Sequence, residues 1–437
     1  MSEKKYWDEA IETLPRVELE KLQTTLLKKH LTLAYTKTGY YKEAFDKAGV
    51  TPDDFKTLTD LRKFPFVNKQ VERERQSKKD LLGDMVAVEE EEVVFVSASS
   101  GSTGVPTLSP FTKKDFDDFQ DVESRLFWGV GMRPKDRYVH ALNFSLFVGG
   151  PDVIGAQNLG ALCIWAGTVP SDRLLFILKE FQPTIIWTTP SYAWFLGETA
   201  KKHGIDPAKD LAINKIIVAG EPGGSIPATR QAIEELWDAK VFDFFGISDI
   251  FGACAGMCDE RDGLHLAEDN ILVEIINPTT LEPVPDGERG ELVLTTLKKT
   301  ARPMIRFRTG DIGTVNKEKC SCGRTLARIK VTGRLDDMLI ISGVNVFPSD
   351  IEYVVRKIVQ LSGEYRIKAI TENFSTKFIV EVERAIGNTD TSEFLAGLVS
   401  HEIKTRVGVK PKEVIVLEHS ELPRATHKAI RLIDERN

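Results

Sequence analysis

Apolar residues recur at helical spacing near the start of the chain and in short continuous runs further along it. The three-to-four-residue period of an amphipathic helix is followed by Leu19, Leu22, Leu26, His30 and Leu33. From about residue 90 to 219, apolar and β-branched runs alternate with helical patterns, the clearest runs being 93–96, 184–187 and 215–218. Buried strands separated by helices predict an α/β domain with a mainly parallel sheet.

A second pattern begins near Gly333. It predicts a strand over 338–341, then a helix after Pro348, where Ser349 and Glu352 have the spacing of a capping box. Further strands are predicted over 366–371, 377–382 and 413–417, with a helix over 392–406. Before this unit, 291–296 alternates as a strand does. The last part of the chain is therefore expected to form a small α+β unit.

Composition excludes several classes of protein. Of 437 residues, 58 are Lys or Arg and 65 are Asp or Glu, so the formal charge of −7 disfavours binding to nucleic acid through overall charge. The first residues lack the apolar core of a signal peptide, and no window approaches the ~18 uninterrupted apolar residues of a membrane span. Five cysteines are too few for a disulfide scaffold. We expect a soluble, cytoplasmic, multi-domain protein.

A loop rich in glycine and hydroxyl groups follows the predicted strand at 93–96. It runs over 97–107 and contains Ser99, Ser100, Gly101, Ser102, Thr103 and Gly104. Glycines let the backbone approach an anion, and successive N–H and hydroxyl groups donate hydrogen bonds to phosphate oxygens. The Gly-Lys-Ser/Thr ending of a Walker loop is missing. A flexible surface linker is the alternative interpretation.

The loop resembles the phosphate-binding loop of the adenylate-forming superfamily, which includes acyl-CoA synthetases, peptide-synthetase adenylation domains and luciferases. Five further motifs match in the same order, at 220–222, 245–249, 306–311, 333–337 and 422–428. Within the superfamily the chain is most similar to phenylacetate–CoA ligases, through Tyr6-Trp7, Tyr40-Tyr41 and the stretch 340–348. The resemblance implies a large N-terminal domain over 1–335, with parallel-rich sheets, and a small mobile α+β domain over 336–437.

The resemblance also implies where ATP binds. Asp311 would hold the ribose, since a carboxylate accepts hydrogen bonds from two vicinal hydroxyls, although a surface ion pair with Arg306 or Arg308 is the alternative for the residues alone. Phe245 would lie on the adenine. The expected nucleotide-binding residues, besides those of the loop, are Gly220, Glu221, Pro222, Phe244, Gly246, Ile247, Ser248 and Arg334.

Three positions carry the catalytic expectations: Asp249, Arg334 and Lys428. Asp249 stands where the family usually has Glu, the carboxylate associated with magnesium, and its shorter reach suggests contact through water. Arg334 would contact the ATP phosphates, and Lys428 would be the mobile lysine of adenylation, although a solvated basic tail is the alternative for Lys428. His427 replaces a customary Gly. Asp336 would be the hinge, and Gly343 would line the CoA tunnel.

Cysteine and histidine spacing points to a metal. Cys258, His265, Cys320 and Cys322 could make a closed tetrahedral set, the usual structural zinc arrangement, with Cys254 as a substitute ligand. Buried free cysteines or a redox pair are the alternatives. Some phenylacetate–CoA ligase relatives carry this pattern, so the resemblance favours structural zinc.

The acid pocket is expected along 141–150, where the family has paired Tyr-Gly repeats. Here the expected pocket residues are Phe144, Ser145, Phe147 and Gly149, together with Ala219 and Gly220. Core packing is the alternative for the aromatic residues. Asn143 and Ser145 add polar groups, which hints at an aryl acid carrying a hydroxyl or amino substituent.

The sequence therefore predicts an ATP-dependent aryl-acid–CoA ligase that works through an acyl-adenylate. Its expected partners are an aryl carboxylic acid, ATP, CoA, magnesium and structural zinc, with no nucleic acid and no membrane. The family often forms homodimers, so a homodimer is expected. Two rival interpretations are an enzyme that transfers AMP or the acyl group to another acceptor, and a non-catalytic zinc-stabilised binding protein of the same fold.

Overall fold

The computed structural model describes residues 4–76, 80–99, 106–144, 149–341, 344–372, 375–424 and 430–436. The helices in these ranges are α1 (Glu9–Glu12), α2 (Arg16–Lys37), α3 (Gly39–Ala48), α4 (Lys69–Arg75), α5 (Lys113–Gly129), α6 (Val153–Leu159), α7 (Ser171–Phe181), α8 (Pro190–Lys202), α9 (Pro207–Asp210), α10 (Pro227–Trp237), α11 (Pro348–Lys357) and α12 (Ser392–Val407). Short 3₁₀ helices cover Pro52–Asp54, Leu58–Lys63 and Glu90–Glu92.

The strands are β1 (Val93–Ala98), β2 (Leu108–Thr112), β3 (Arg137–His140), β4 (Leu162–Trp165), β5 (Ile185–Thr188), β6 (Lys215–Val218), β7 (Lys240–Ile247), β8 (Phe251–Met257), β9 (Leu264–Leu266), β10 (Ile271–Ile276), β11 (Gly290–Thr296), β12 (Phe307–Asn316), β13 (Arg328–Arg334), β14 (Leu339–Ile341), β15 (Val344–Val346), β16 (Leu361–Glu372), β17 (Ser375–Arg384), β18 (Glu413–Leu417) and β19 (Leu432–Asp434).

The chain divides into two compact units that are not consecutive in sequence. Unit 1 comprises Met1–Pro170, Pro183–Trp187 and Phe242–Lys330, and unit 2 comprises Ser171–Gln182, Thr188–Val241 and Val331–Asn437. Unit 2 thus contains earlier stretches as well as the C-terminal region. The expected domains, 1–335 and 336–437, remain a prediction.

The strands of unit 1 pair in both directions. β3 lies between β4 and β5, parallel to both, whereas β7–β8, β8–β9, β9–β13, β10–β11 and β11–β12 are antiparallel. The α/β class is confirmed, and the parallel pairing expected for 90–219 is found for β3, β4 and β5, while the antiparallel strands beyond residue 240 make the arrangement mixed. β1 is also not a buried parallel strand: it pairs antiparallel with β2, and Val94 is 56% exposed. β11 is buried on both faces, so its expected alternation does not mark a solvent face.

Helix α2 confirms the N-terminal helix but not its expected buried face. The buried positions are Leu19, Gln23, Leu27, His30, Leu31 and Ala34. Polar residues lie on this face because each has a partner: the Gln23 side chain donates to the Glu268 carbonyl at 2.9 Å, and the His30 ring hydrogen-bonds the Thr296 hydroxyl at 2.8 Å. The predicted pattern included Leu19 and His30 but missed the buried positions Gln23, Leu27, Leu31 and Ala34.

Unit 2 contains a four-stranded sheet in the order β18-β17-β16-β19. β16 and β17 are antiparallel, and β18 and β19 pair parallel to their neighbours. Inward side chains of this sheet, such as Tyr365 and Phe378, form one apolar core with α11 and α12. The predicted strands and helices of this region are confirmed to within a few residues.

The predicted capping box before α11 is wrong. Phe347 is the N-cap and Pro348 the first helical residue. Ser349 instead donates from its hydroxyl to the Thr332 carbonyl, and Glu352 accepts from the Thr229 hydroxyl at 3.1 Å. The Ser-x-x-Glu spacing is present, but too late in the chain for a cap. Among the described helices of both units, none is long and apolar enough to cross a membrane.

Candidate active site and metal centre

The two ends of the glycine-rich loop meet at the open end of the β1–β2 pair. The Ser99 amide donates to the Thr107 carbonyl at 3.0 Å, and the two side-chain hydroxyls lie 2.9 Å apart. Thr107 is buried and Ser99 is half-buried. The expected phosphate-binding positions Ser100, Gly101, Ser102, Thr103 and Gly104 fall outside the described residues.

Asp249 follows β7 and is buried among cations. Its carboxylate lies 2.5 Å from the Lys69 ammonium and 3.5 Å from the Arg302 guanidinium, and it accepts a hydrogen bond from the Thr107 hydroxyl at 3.3 Å. Burial alone would raise the pKa of Asp249, but the two positive charges hold it below its usual value. Asp249 is therefore an anion in a closed ion network.

The network extends to two further buried groups. Glu72, on α4, lies 2.9 Å from Arg302, and burial raises its pKa. Lys299 is fully buried and donates to the Ser109 hydroxyl at 2.5 Å and to the Asp249 carbonyl at 3.1 Å. Burial lowers the pKa of Lys299 well below its usual value.

The sequence prediction missed the residues of this network: Lys69, Glu72, Lys299 and Arg302. They come from two stretches far apart in the chain, and neither stretch has a recognisable motif. Only the fold brings them beside Asp249. A buried cation gives no periodic signal in one sequence, so their role could be found only from contacts.

The expected adenine motif lies at the end of β7. Gly246 is required there, since a Cβ at this position would lie 2.0 Å from the Gly252 carbonyl oxygen. Phe244 is buried with its ring 5.2 Å from Trp187, while Phe245 is half-buried. The Ser248 carbonyl accepts from the Ser97 hydroxyl at 3.0 Å. Ile247, the other expected contact, ends β7 and is half-buried.

The expected ribose residue, Asp311, is buried on β12 in the same unit. Arg306 pairs with Glu274 at 2.9 Å and Arg308 with Glu291 at 2.6 Å. Both arginines of the motif therefore have carboxylate partners other than Asp311. The ion-pair alternative therefore holds for the two arginines of the motif.

Unit 2 carries the remaining described nucleotide-binding candidates. Ala219 follows β6, and Gly220 has φ +89°, a left-handed conformation that favours glycine. The Glu221 carboxylate accepts from the Ser191 amide at 2.8 Å, which fixes the turn before Pro222. Arg334 and Asp336, the expected phosphate and hinge residues, pair with each other at 3.0 Å. Gly343 and Lys428 fall outside the described residues.

An aromatic group lies along the expected acid-binding segment in unit 1. The Phe144 ring stacks on Trp165 at 5.3 Å and lies 5.2 Å from the His140 ring. Burial lowers the pKa of His140 to about 3, so this imidazole is neutral. Gly149 is half-buried. Ser145 and Phe147 fall outside the described residues.

The four expected metal ligands lie together in unit 1. One ligand atom from each of Cys258, His265, Cys320 and Cys322 lies within 4.8 Å of the others. The His265 Nδ1 lies 3.0 Å from the Leu326 carbonyl and donates to it, which leaves Nε2 free to bind a metal. Three sulfur donors and one imidazole match a structural zinc site. Cys254 is buried on β8 outside this cluster.

Residues of the N-terminal segment contact the turn that carries Cys320 and Cys322. The Arg324 amide donates to this sulfur at 3.5 Å, and the Arg324 side chain donates to Glu12 at 2.5 Å. The Tyr6 hydroxyl donates to the Cys322 carbonyl at 3.2 Å. The turn that carries two of the ligands is thus attached to residues 6–12.

Comparison with known proteins supports the expected resemblance to adenylate-forming enzymes. Residues 21–297 match the AMP-binding enzyme family, and residues 343–436 match the AMP-binding enzyme C-terminal domain. The phenylacetate-coenzyme A ligase of Thermus thermophilus is 35% identical, covering 97% of this chain and 98% of the relative. That of Escherichia coli is 36% identical, covering 98% and 97%.

A solved structure shares the fold. The crystal structure of 2-hydroxyisobutyryl-CoA ligase in the postadenylation state superposes with a TM-score of 0.93 at 30% sequence identity, covering 99% of this chain and 93% of that one. The likeness extends through both family matches.

Proposed function

This chain belongs to the phenylacetate–coenzyme A ligase family of AMP-binding enzymes, and from that premise we propose that it is an ATP-dependent aryl-acid–CoA ligase. The observation that carries the proposal is the nearly full-length similarity to phenylacetate-coenzyme A ligases, at 35–37% identity. The ion network around Asp249 adds support, because it lies at the base of the expected phosphate loop.

The proposed reaction proceeds in two steps. A carboxylate oxygen of the acid attacks the α-phosphorus of ATP, and the bond to pyrophosphate breaks, which gives an acyl-adenylate. The CoA sulfur, on losing its proton, then attacks the acyl carbon, and the carbon–oxygen bond breaks to release AMP. No nucleophile from the protein is required. We propose that Lys428 stabilises the charge that develops in the first step and that Arg334 contacts the phosphates.

Magnesium is proposed to bind with ATP at Asp249. A carboxylate is a suitable ligand, and magnesium would neutralise phosphate charge there. In the described residues Asp249 is paired with Lys69 and Arg302. Contact through water would let the carboxylate keep these partners, and it agrees with the short reach of Asp.

Zinc is proposed for the cluster of Cys258, His265, Cys320 and Cys322. The four ligands would close the coordination sphere, so the ion would be structural and take no part in the reaction. A reducing compartment such as the cytoplasm would keep the cysteines reduced and able to bind it. A homodimer and a mobile domain after residue 335, hinged at Asp336, belong to the same proposal through the family.

The acid pocket is proposed to include Phe144 and Gly149. The Phe144 ring, stacked on Trp165 and beside the neutral His140, offers an aromatic wall. An aryl acid with a polar substituent suits this combination of apolar and polar side chains.

A mass-spectrometric assay tests the proposal. The protein is incubated with ATP, magnesium, CoA and a panel of phenylacetate, substituted benzoates and indoleacetate, and AMP, acyl-adenylate and acyl-CoA are measured. We expect acyl-CoA and AMP in equal amounts for at least one acid. Adenylate without thioester would indicate another acceptor. Silence across the panel, with folded protein, would contradict the aryl-acid assignment.

A further inference from the structure

We propose that Thr107 is a positioning residue for adenylation, whose hydroxyl links the ends of the phosphate loop to the Asp249 carboxylate. The inference deepens the proposed function and rests on it, because it assumes that the loop binds the phosphates of ATP. It concerns only the described ends of that loop, Ser99 and Thr107.

Three hydrogen bonds connect these residues in series. The Thr107 amide lies 3.3 Å from the Ser99 Oγ, the two side-chain oxygens are 2.9 Å apart, and the Thr107 Oγ1 is 3.3 Å from an Asp249 oxygen. A fourth bond, from the Ser99 amide to the Thr107 carbonyl, closes the two strands at the same level.

The direction of the hydrogen bonds in this series follows from the number of hydrogens that each group can donate. An ionised carboxylate only accepts, so the single hydroxyl hydrogen of Thr107 is donated to Asp249. The Thr107 oxygen then accepts from the Ser99 hydroxyl, whose own oxygen accepts from the Thr107 amide. Every hydrogen in this arrangement has one acceptor, and the series ends on a negative charge, which strengthens it.

Other contacts hold the C-terminal end of the loop beside Asp249. Gln76 accepts from the Leu108 amide at 2.8 Å and donates to the Pro106 carbonyl at 3.0 Å. Arg302, which also pairs with Asp249, donates to the Leu108 carbonyl at 2.5 Å. Thr107 is 1% exposed. Its hydroxyl therefore has a fixed place between the loop and the ion network.

The consequence is that Asp249 acts on ATP in two ways. It supplies the carboxylate associated with magnesium, and through Thr107 it also orients the backbone at the ends of the loop. Donors that point to a phosphate before ATP arrives need no reordering on binding. Loss of the hydroxyl should therefore weaken the ATP-dependent step while the thiol-dependent step is unaffected.

The test compares Thr107→Val, Thr107→Ser and Ser124→Ala. Valine keeps the shape of threonine but removes the hydroxyl, and serine restores it. Ser124→Ala is the matched control, since it removes a buried hydroxyl that binds the Gln120 and Gly155 carbonyls outside the loop and the ion network. Adenylation is followed by pyrophosphate release, and thioester formation by supplying preformed acyl-adenylate and CoA.

We expect Thr107→Val to lower kcat/KM for ATP in adenylation by about tenfold or more, through a higher KM. Thr107→Ser should recover most of this loss, and Ser124→Ala should keep the wild-type KM for ATP. Thioester formation from preformed adenylate should stay within about twofold of wild type for all three variants. If Thr107→Val does not fold, Ser99→Ala removes the preceding hydroxyl and should raise the KM for ATP in the same direction.

Wild-type ATP kinetics in folded Thr107→Val would overturn the inference. An equal slowing of both half-reactions would also overturn it, because a merely structural role predicts that result. If wild-type protein forms no adenylate with any acid, the ligase proposal itself fails. If wild type is active and the Thr107 variants do not differ from it, only the positioning role fails.

Discussion

Asp249, at a position where the family usually has Glu, lies in a cluster of buried charges. The shorter side chain places its oxygens 2.5 Å from Lys69 and 3.5 Å from Arg302. Removing one partner of such a buried group leaves the other charge uncompensated. Lys69 is therefore the residue whose substitution reports most directly on the state of Asp249.

Lys69→Met should move the acid limb of the pH profile for adenylation to higher pH. Lys69 is one of the charges that hold the pKa of Asp249 down, so its loss raises that pKa, and Asp249 becomes protonated at a higher pH. The measurement is kcat/KM for ATP across pH. Lys42→Met, which removes an exposed partner of Asp46, is the control and should leave the limb in place. An unmoved limb in Lys69→Met would contradict the electrostatic role.

A stability prediction follows from two buried carboxyl groups, Glu123 and Asp152. Burial, together with the nearby Asp152, raises the pKa of Glu123 well above its usual value. The unfolded chain ionises Glu123 at lower pH than the folded chain does, so this group destabilises the fold as pH rises above the unfolded pKa. The effect reaches at most about 1.4 kcal/mol for each pH unit.

Glu123→Gln should therefore stabilise the protein more at pH 8 than at pH 5.5. Glutamine keeps the size of the side chain and has no proton to lose. Thermal unfolding at the two pH values measures the difference, with exposed Glu90→Gln as the control. A gain that is equal at both values, or larger at pH 5.5, would show that Glu123 does not keep its proton in the folded state.

At the scale of elements, the turn carrying Cys320 and Cys322 is joined to the N-terminal segment. Besides the contacts of Tyr6 and Arg324, the Thr325 amide donates to the Glu12 carbonyl at 2.9 Å. Outer-shell partners of this kind hold metal ligands in place. Binding of the metal and docking of the segment should therefore favour each other.

Metal removal should increase hydrogen exchange in residues 4–14 before it affects strands β16 and β17. Glu12→Gln should also weaken zinc binding, by about tenfold, in competition with a chromogenic chelator. Asp117→Asn is the control, because Asp117 is exposed and pairs with Lys113 on the same helix, α5. Zinc content by mass spectrometry comes first. If hydrogen exchange in residues 4–14 is unchanged after zinc loss has been proven, metal binding and docking of the N-terminal segment are not coupled.

Elements with strong local patterns were predictable, and those that depend on distant partners were not. Strand β18 and helix α12 came from continuous or periodic apolar runs, which are local signals. The buried face of α2 and the cap of α11 were wrong because Gln23 and Ser349 find partners far away in sequence. Tertiary contacts override local propensity at such positions.

At the scale of the whole molecule, the proposed ligase reaction consists of two half-reactions that can be assayed separately. Lys428→Ala should abolish adenylation and leave thioester formation from preformed adenylate largely intact, because the lysine is proposed to stabilise charge only in the first step. Each half-reaction is assayed alone. Lys412→Ala, which removes an exposed pair with Glu372, is the control. Adenylation at the wild-type rate would show that Lys428 does not have this role.

Sequence patterns predicted the candidate site residues themselves, whereas the residues that contact them were not predicted. Ordered motifs predicted roles for Asp249 and Asp311, and the spacing of cysteine and histidine predicted the four metal ligands, which the structure brings together. Thr107 stood at the edge of such a motif without an assigned role. Lys69, Arg302 and Glu12 belong to no recognised motif, and only the fold shows that Lys69 and Arg302 pair with Asp249 and that Glu12 pairs with Arg324, next to the metal ligands.

The central claim is that the acid is activated as an acyl-adenylate, and oxygen labelling tests it most directly. The acid is labelled with ¹⁸O in its carboxylate and turned over with ATP, magnesium and CoA. One labelled oxygen should appear in AMP, because the oxygen that attacks the α-phosphorus stays with it when the thiol displaces the acyl group. Label in phosphate or pyrophosphate, or acyl-CoA formed with unlabelled AMP, would contradict the account.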